Sequence, residues 1–374
     1  MLYIAAVSLT SLLASAALLL AGQGSRLAVA HLAFAVGILP LIFAAMMHFV
    51  PVLTRSRDPH PLIARMPLFA QGLGALVVLA MQGWLPYGIV HAAAALDCFL
   101  AASLLVWIVR RARQALGKPH PGWRWYAASL VCLMLALLAI LLTSVFPENW
   151  RAFRLFHLHI NPLGFVGLAA LGTLPVLLPT SLGKPDPEAA VWLQKRLPAA
   201  FASVVMIALE AALSKPLTWA GSAILVLVFI SLLVQWQRRF GVNTLIGQGA
   251  AASLLAAGLG AILALAAGLL HGGGILPTDG ALVGWVAGFL LPLVTGALSQ
   301  LLPVWRWPGP DSPQRKALRA TLSRLGFSRG LLFLLGSLAL FIGYLRVGSL
   351  LTAVGMALFV ANLAAGMRKT GPTR

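Results

Sequence analysis

Residues 31–51 read HLAFAVGILPLIFAAMMHFVP, and the same kind of stretch returns as 159–179, HINPLGFVGLAALGTLPVLLP, and 283–303, VGWVAGFLLPLVTGALSQLLP. Each copy runs through Gly- and Leu-rich sequence to a closing proline. Counted back from that proline, His31 and His159 hold the same position, and Val283 occupies it in the third copy. Gly164 matches Gly288 and Gly172 matches Gly296, so the likeness exceeds shared hydrophobicity. At about 1.5 Å per residue a helix of this length covers roughly 30 Å, the thickness of a bilayer's hydrocarbon core.

The rest of the chain has the same character. Of 374 residues, 60% are hydrophobic and only 9% charged, more apolar surface than a soluble core absorbs. The sequence divides into twelve apolar segments near 2–22, 28–53, 66–86, 88–109, 125–146, 157–181, 197–214, 217–236, 245–270, 280–305, 328–345 and 347–367. Long apolar runs without alternation predict helices, not barrel strands, because in lipid each segment must satisfy its own backbone. The expected fold is therefore all-α: a single polytopic membrane domain over 1–374, with no inserted soluble domain.

A net charge of +19 could point to nucleic acid, but its placement points to topology. With the N-terminus inside, inner segments collect 22 of the 27 Lys and Arg, leaving only Arg26, Arg151, Arg154, Lys215 and Arg346 outside. This is the positive-inside distribution, and it predicts a bacterial-type inner membrane protein with both termini cytoplasmic. The first segment resembles a signal peptide at Ala14-Ser15-Ala16, but it lacks a basic start and is long enough to span. It is expected to remain as a helix. Cys98 and Cys132 both fall within spans, which argues against a structural disulfide, and no CxxCH occurs for covalent haem attachment.

The three copies fall in the second, sixth and tenth spans. A spacing of four implies three four-helix units, about 1–110, 111–236 and 237–374, arranged around a pseudo-threefold axis. Such repeats concentrate sites at their interfaces. The segment 306–329 ends in a basic stretch that reads as an amphipathic helix at the inner surface, attracted to anionic headgroups.

The topology places five histidines towards the outer face: His31, His91, His157, His159 and His271. His48, His60 and His120 lie towards the inner face. Neutral imidazole suits copper, zinc and haem iron. Axial haem ligation needs one or two such nitrogens at matched depth on facing helices. His31 and His159 meet that requirement and are the expected cofactor ligands, for haem b and/or copper. His157 lies about 200° from His159 on a helix, so only one of them faces inward, and the register favours His159. His157, with His91 or His271, could complete a separate copper site. Met46 and Met47 beside His48 read as packing, although soft copper ligation uses the same residue types. Asp97 and Glu210 fall inside spans, where carboxylates line polar paths or pair with a partner, so a proton route through them is a further expectation.

The segment His157-Leu-His159-Ile-Asn161-Pro-Leu-Gly164-Phe-Val-Gly167, with histidines in the second and sixth of twelve helices, resembles the haem–copper oxidase catalytic subunit and its relatives. Among these it is similar to the NnrS family, membrane proteins associated with haem, copper and the nitric-oxide response. It is also similar to oxidase-subunit-I-like proteins with a Gly-Ala-Leu-Ser-x-Leu-Leu-Pro helix, which reads here Gly296-Ala-Leu-Ser-Gln300-Leu-Leu-Pro303. The resemblance implies His31 as a low-spin haem ligand and His159 as a metal ligand. The tenth span lacks the family's His-x-His, and the His-His pair near the seventh is missing as well. The resemblance therefore implies haem or copper binding in metal handling, nitrosative stress or electron transfer, and not a complete terminal oxidase. Two other readings follow from the same residues: a proton-coupled small-solute transporter using Asp97 and Glu210, and a non-catalytic assembly partner of a redox complex.

Overall fold

A computed structural model of the chain describes residues 1–213, 216–277 and 279–370. Lys215 and Arg374, two of the residues used to read the topology, lie outside the described residues, as does the side chain of Glu210. Among the described residues every regular element is helical. The long helices are α1 Leu2–Leu20, α2 Arg26–Thr54, α3 Met66–Met81, α4 Gly88–Arg113, α5 Gly122–Val145 and α6 Pro147–Ser181. They continue with α7 Ala189–Leu213, α8 Pro216–Phe240, α9 Gly249–Gly272, α10 Ala281–Arg306, α11 Gly326–Phe341 and α12 Leu345–Lys369.

Eleven stretches among the described residues are long and apolar enough to cross a bilayer, and the seventh expected span falls in α7. The chain is thus a multi-pass membrane protein. Two helices begin earlier than the apolar runs indicate. The α7 helix opens at Ala189 and carries Lys195 and Arg196, which the hydropathy reading assigns to a loop. The helical stretch of α6 opens at Pro147, so His157 and His159 sit inside it and not at its start. Polar residues lower the hydropathy of a helix end without breaking its hydrogen bonds, so the apolar run understates the helix.

Contacts divide the chain into two units, Met1–Gly172 with Leu193–Gly221, and Thr173–Trp192 with Ser222–Arg374. Within them the repeated stretch has a distinctive backbone. The α2 helix widens into a π turn over Leu32–Ile38, α6 does so over Ile160–Val166, and α10 over Val286–Leu290. All three turns end thirteen residues before the closing proline of their copy. In α2 and α6 the turn begins on the residue after the matched histidine.

The surroundings recur as well. In the first unit the π turn of α2 packs between α1 and α3, and that of α6 packs on α5 and reaches α7. In the second unit the π turn of α10 packs between α9 and α11. A Cβ on Gly164 would lie 2.9 Å from Cys132 Sγ and 3.1 Å from Val204 Cγ1, and one on Gly172 would lie 2.6 Å from Trp125 Cβ. In α10 the matched Gly288 faces Gly260 and Ser337, and the matched Gly296 faces Ser253 and Leu254. Cys132 and Trp125 are seven residues apart on α5, and Gly260 and Ser253 are seven apart on α9, so both helix pairs pack in one register.

The second unit also buries a cation. Arg329, which the charge distribution places in an inner loop, is fully buried in the first turn of α11. Its Nη2 donates to Ser253 Oγ at 3.0 Å and its Nη1 to the Leu322 carbonyl at 3.4 Å, while its guanidinium lies 5.2 Å from the Phe359 ring centroid. Carbonyl, hydroxyl and aromatic face substitute for the solvent that a loop arginine would have. The expected amphipathic helix forms over Pro313–Leu322 and turns Leu318 and Leu322 inward. Its apolar face packs on α12, where a Cβ on Gly366 would meet Leu318.

Candidate functional site

The matched histidines sit where an α-helix widens, and in α2 sequence explains much of the local distortion. Pro40 has no N–H to give the Val36 carbonyl four residues back, and its ring crowds that carbonyl. Gln71 Nε2, from α3, donates to Val36 O at 3.1 Å and takes the missing role. Pro292 stands in the same register in α10 and likewise deprives Gly288 of a donor. There the Gly288 carbonyl is met instead by the Cα of Gly260, where any Cβ would overlap the oxygen. Turns of this type are frequent at functional sites.

His31 Nδ1 lies 2.8 Å from the Leu27 carbonyl, His157 Nδ1 lies 2.9 Å from the Ala136 carbonyl on α5, and His159 Nδ1 lies 2.8 Å from the Leu155 carbonyl. A carbonyl oxygen only accepts, so each Nδ1 carries the proton and each Nε2 holds the lone pair. This is the tautomer in which a metal-binding imidazole is normally held by its neighbours. All three residues are half-buried.

The fold brings His31 and His157 near each other. The register argument pairs His31 with His159. His159 occupies the opposite side of the same helix from His157, and its Nδ1 bonds to Leu155 O one turn back. The anchor on Ala136 turns His157 towards α5, an interhelical bond that spacing along one helix does not reveal.

The other expected ligands stand apart. His91 Nε2 approaches Thr143 Oγ1 at 3.4 Å, and Thr143 already donates to Ile140 O at 2.6 Å, so His91 is the donor. The His91 ring also meets Tyr87 edge-on at 5.5 Å. His271, at the end of α9 in the second unit, turns Nδ1 towards Leu276 O at 3.3 Å. Among the described residues no group of three His, Cys, Asp or Glu side chains is placed to hold a metal ion. Met46 and Met47 are fully buried, as packing residues are.

Of the intramembrane carboxylates, Asp97 is buried in α4 and its Oδ1 has no hydrogen-bond partner. Glu210 lies in α7. Sequence reasoning missed Gln71. Its one signal was Pro40, which orphans a carbonyl and so calls for a donor on a neighbouring helix.

The third copy packs closely on either side of the matched position. Next to Val283, a Cβ on Gly284 would lie 2.7 Å from the Phe341 ring, and Gly280 abuts the Leu340 carbonyl. The residues next to the matched position, Gly280 and Gly284, here make a helix–helix contact with α11.

No protein-family model matches the chain, and no curated protein matches it.

Proposed function

We propose that the protein binds haem and/or copper through His31 and His157, near the outer face of a bacterial inner membrane, with both termini in the cytoplasm. The observation that carries this reading is the pair itself: two imidazoles from α2 and α6 set near each other, each with Nδ1–H tied to a backbone carbonyl. Two Nε2 lone pairs fit the axial positions of a haem iron or a two-coordinate copper(I). They are too few for a structural zinc site, which takes four ligands. When bound, such a group supplies one-electron chemistry, and the chain's part is to orient the two rings and limit their exposure.

The architecture we infer is that of oxidase subunit I, with three four-helix units around a pseudo-threefold axis. The recurrence of a π turn in α2, α6 and α10, each packed by the preceding and following helix, supports it. The packed third copy fits a protein of metal handling, nitrosative stress or electron transfer and not a terminal oxidase.

The test is an optical spectrum of the purified protein, oxidised and reduced, with iron and copper quantified. His31→Ala and His157→Ala each abolish the Soret band or the bound copper, while His159→Ala retains it. A protein with neither a Soret band nor stoichiometric iron or copper overturns the proposal.

A further inference from the structure

Besides Trp107 Nε1 further along α4, three buried polar atoms among the described residues of the first unit have no hydrogen-bond partner: Ser8 Oγ on α1, Gln71 Oε1 on α3 and Asp97 Oδ1 on α4. Their residues are all at least nine-tenths buried, at 0%, 5% and 5% exposure. They also share a depth. Ser25 Oγ donates to Met81 O at 3.0 Å, which joins the loop after α1 to the end of α3, and α4 starts from that same end. From this end Ser8 lies about 18 Å down its helix, Gln71 about 15 Å and Asp97 about 14 Å, at 1.5 Å per residue. Each is therefore near mid-membrane. Ser8 and Gln71 stand on either side of the α2 π turn, since Gly37 sits against the Ser8 carbonyl and Gln71 donates to Val36. Asp97 belongs to α4, which packs on α3 and α5. The His91–Thr143 contact sets α4 and α5 in antiparallel register, so that Asp97, six residues on, is level with Leu137, next to the carbonyl that holds His157.

An ionised carboxylate at this position has neither a counter-charge nor a donor, and an unpaired buried charge costs far more than taking up a proton. Orphaned polar atoms at one depth are also what ordered water satisfies, since a buried water needs two to four polar partners. We propose that Asp97 is a proton-binding site inside the first unit, held as the neutral acid, and that water gathered at the Ser8–Gln71–Asp97 level gives the proton access to it. The step is a simple transfer: a hydronium proton forms the O–H bond on Asp97 and leaves water. It requires no bound metal, so it stands or falls independently of the histidine site.

Infrared spectroscopy of the full-length protein in lipid tests it. The chain has only eight Asp and Glu side chains, so a single carboxylic-acid carbonyl stretch is resolvable. At neutral pH the wild type shows that band, Asp97→Asn removes it, and transfer to D2O shifts it within minutes. Absence of the band, its persistence in Asp97→Asn, or a band unshifted after hours in D2O overturns the proposal. Should Asp97→Asn fail to assemble, Asp97→Glu is read in its place. It must move the band in frequency, and an unmoved band counts against Asp97.

Discussion

The α2 and α10 helices share a π turn in one register and a proline at one position, yet they resolve the same backbone problem in opposite ways. In α2 the carbonyl orphaned by Pro40 is met by a side chain, Gln71, and the helix face one turn earlier carries His31. In α10 the carbonyl facing Pro292 is met by bare backbone at Gly260, and the matched face is closed by Phe341 on Gly284. A repeated fold can thus keep its distortion and lose its ligand. The difference teaches that the π turn belongs to the packing of the repeat, and that the histidines were added to it or lost from it.

The comparison breaks most sharply at Gly260. Gly260→Ala places a Cβ on the Gly288 carbonyl, where backbone meets backbone and neither yields, so a loss of about 3 kcal/mol or more is expected. It is read as a fall in Tm of on the order of 10 °C in detergent, or as failure to assemble. Gly164→Ala, the matched approach in α6, meets Cys132 Cβ at 2.8 Å and the movable Cys132 Sγ and Val204 Cγ1, so the helices part slightly where no backbone carbonyl blocks them. About 1–3 kcal/mol is expected by the same assay, and a larger loss than at Gly260 would reverse the contrast.

Gln71→Leu leaves Val36 without its side-chain donor and costs about 1–2 kcal/mol. Beside Gly288 the Ser337 hydroxyl donates to the Gly284 carbonyl at 2.8 Å and not to that of Gly288, so the effect at the proline-orphaned carbonyl is particular to the first unit. A Gln71→Leu protein as stable as wild type would show that the π turn satisfies Val36 alone.

A smaller effect separates the loop ends. His120 Nδ1 accepts from the N–H of Gly122, the first residue of α5, at 3.3 Å, a bond that needs the neutral ring, and burial holds this imidazole below its ordinary value. Below about pH 6.5 the unfolded chain takes up a proton that the folded chain refuses, so stability falls as pH drops through that range. His120→Asn keeps an accepting oxygen without titrating and flattens that slope in a pH series of Tm values. The smallest expectation is none at all. Val283→His restores the matched histidine beside the tight Gly284–Phe341 contact, and bound iron and copper per chain stay unchanged.

Much of the fold was legible. Hydropathy located the spans, and the repeat placed three helices whose packing proves alike, because lipid imposes one requirement on every segment and a shared register carries shared small residues. The start of α7 and the burial of Arg329 were not legible. Charge reads as loop by default, and only neighbours such as Ser253 and Phe359 make a buried cation tolerable. The histidines divide in the same way. Their depth came from counting residues, whereas the partner of His31 depended on which of two positions on α6 faces it.

By itself, the chain's sequence determined that it crosses a membrane as helices, that one segment recurs three times, and that two of the three copies bear a histidine. Those facts are local, set by apolar length and by position along one helix. Tertiary structure alone decided that His157 comes near His31, that Gln71 serves the carbonyl Pro40 strands, and that Phe341 packs on Gly284 in the third copy. Each of these depends on the rotation of one helix against another, and that rotation is set by the packing of side chains far apart in the sequence.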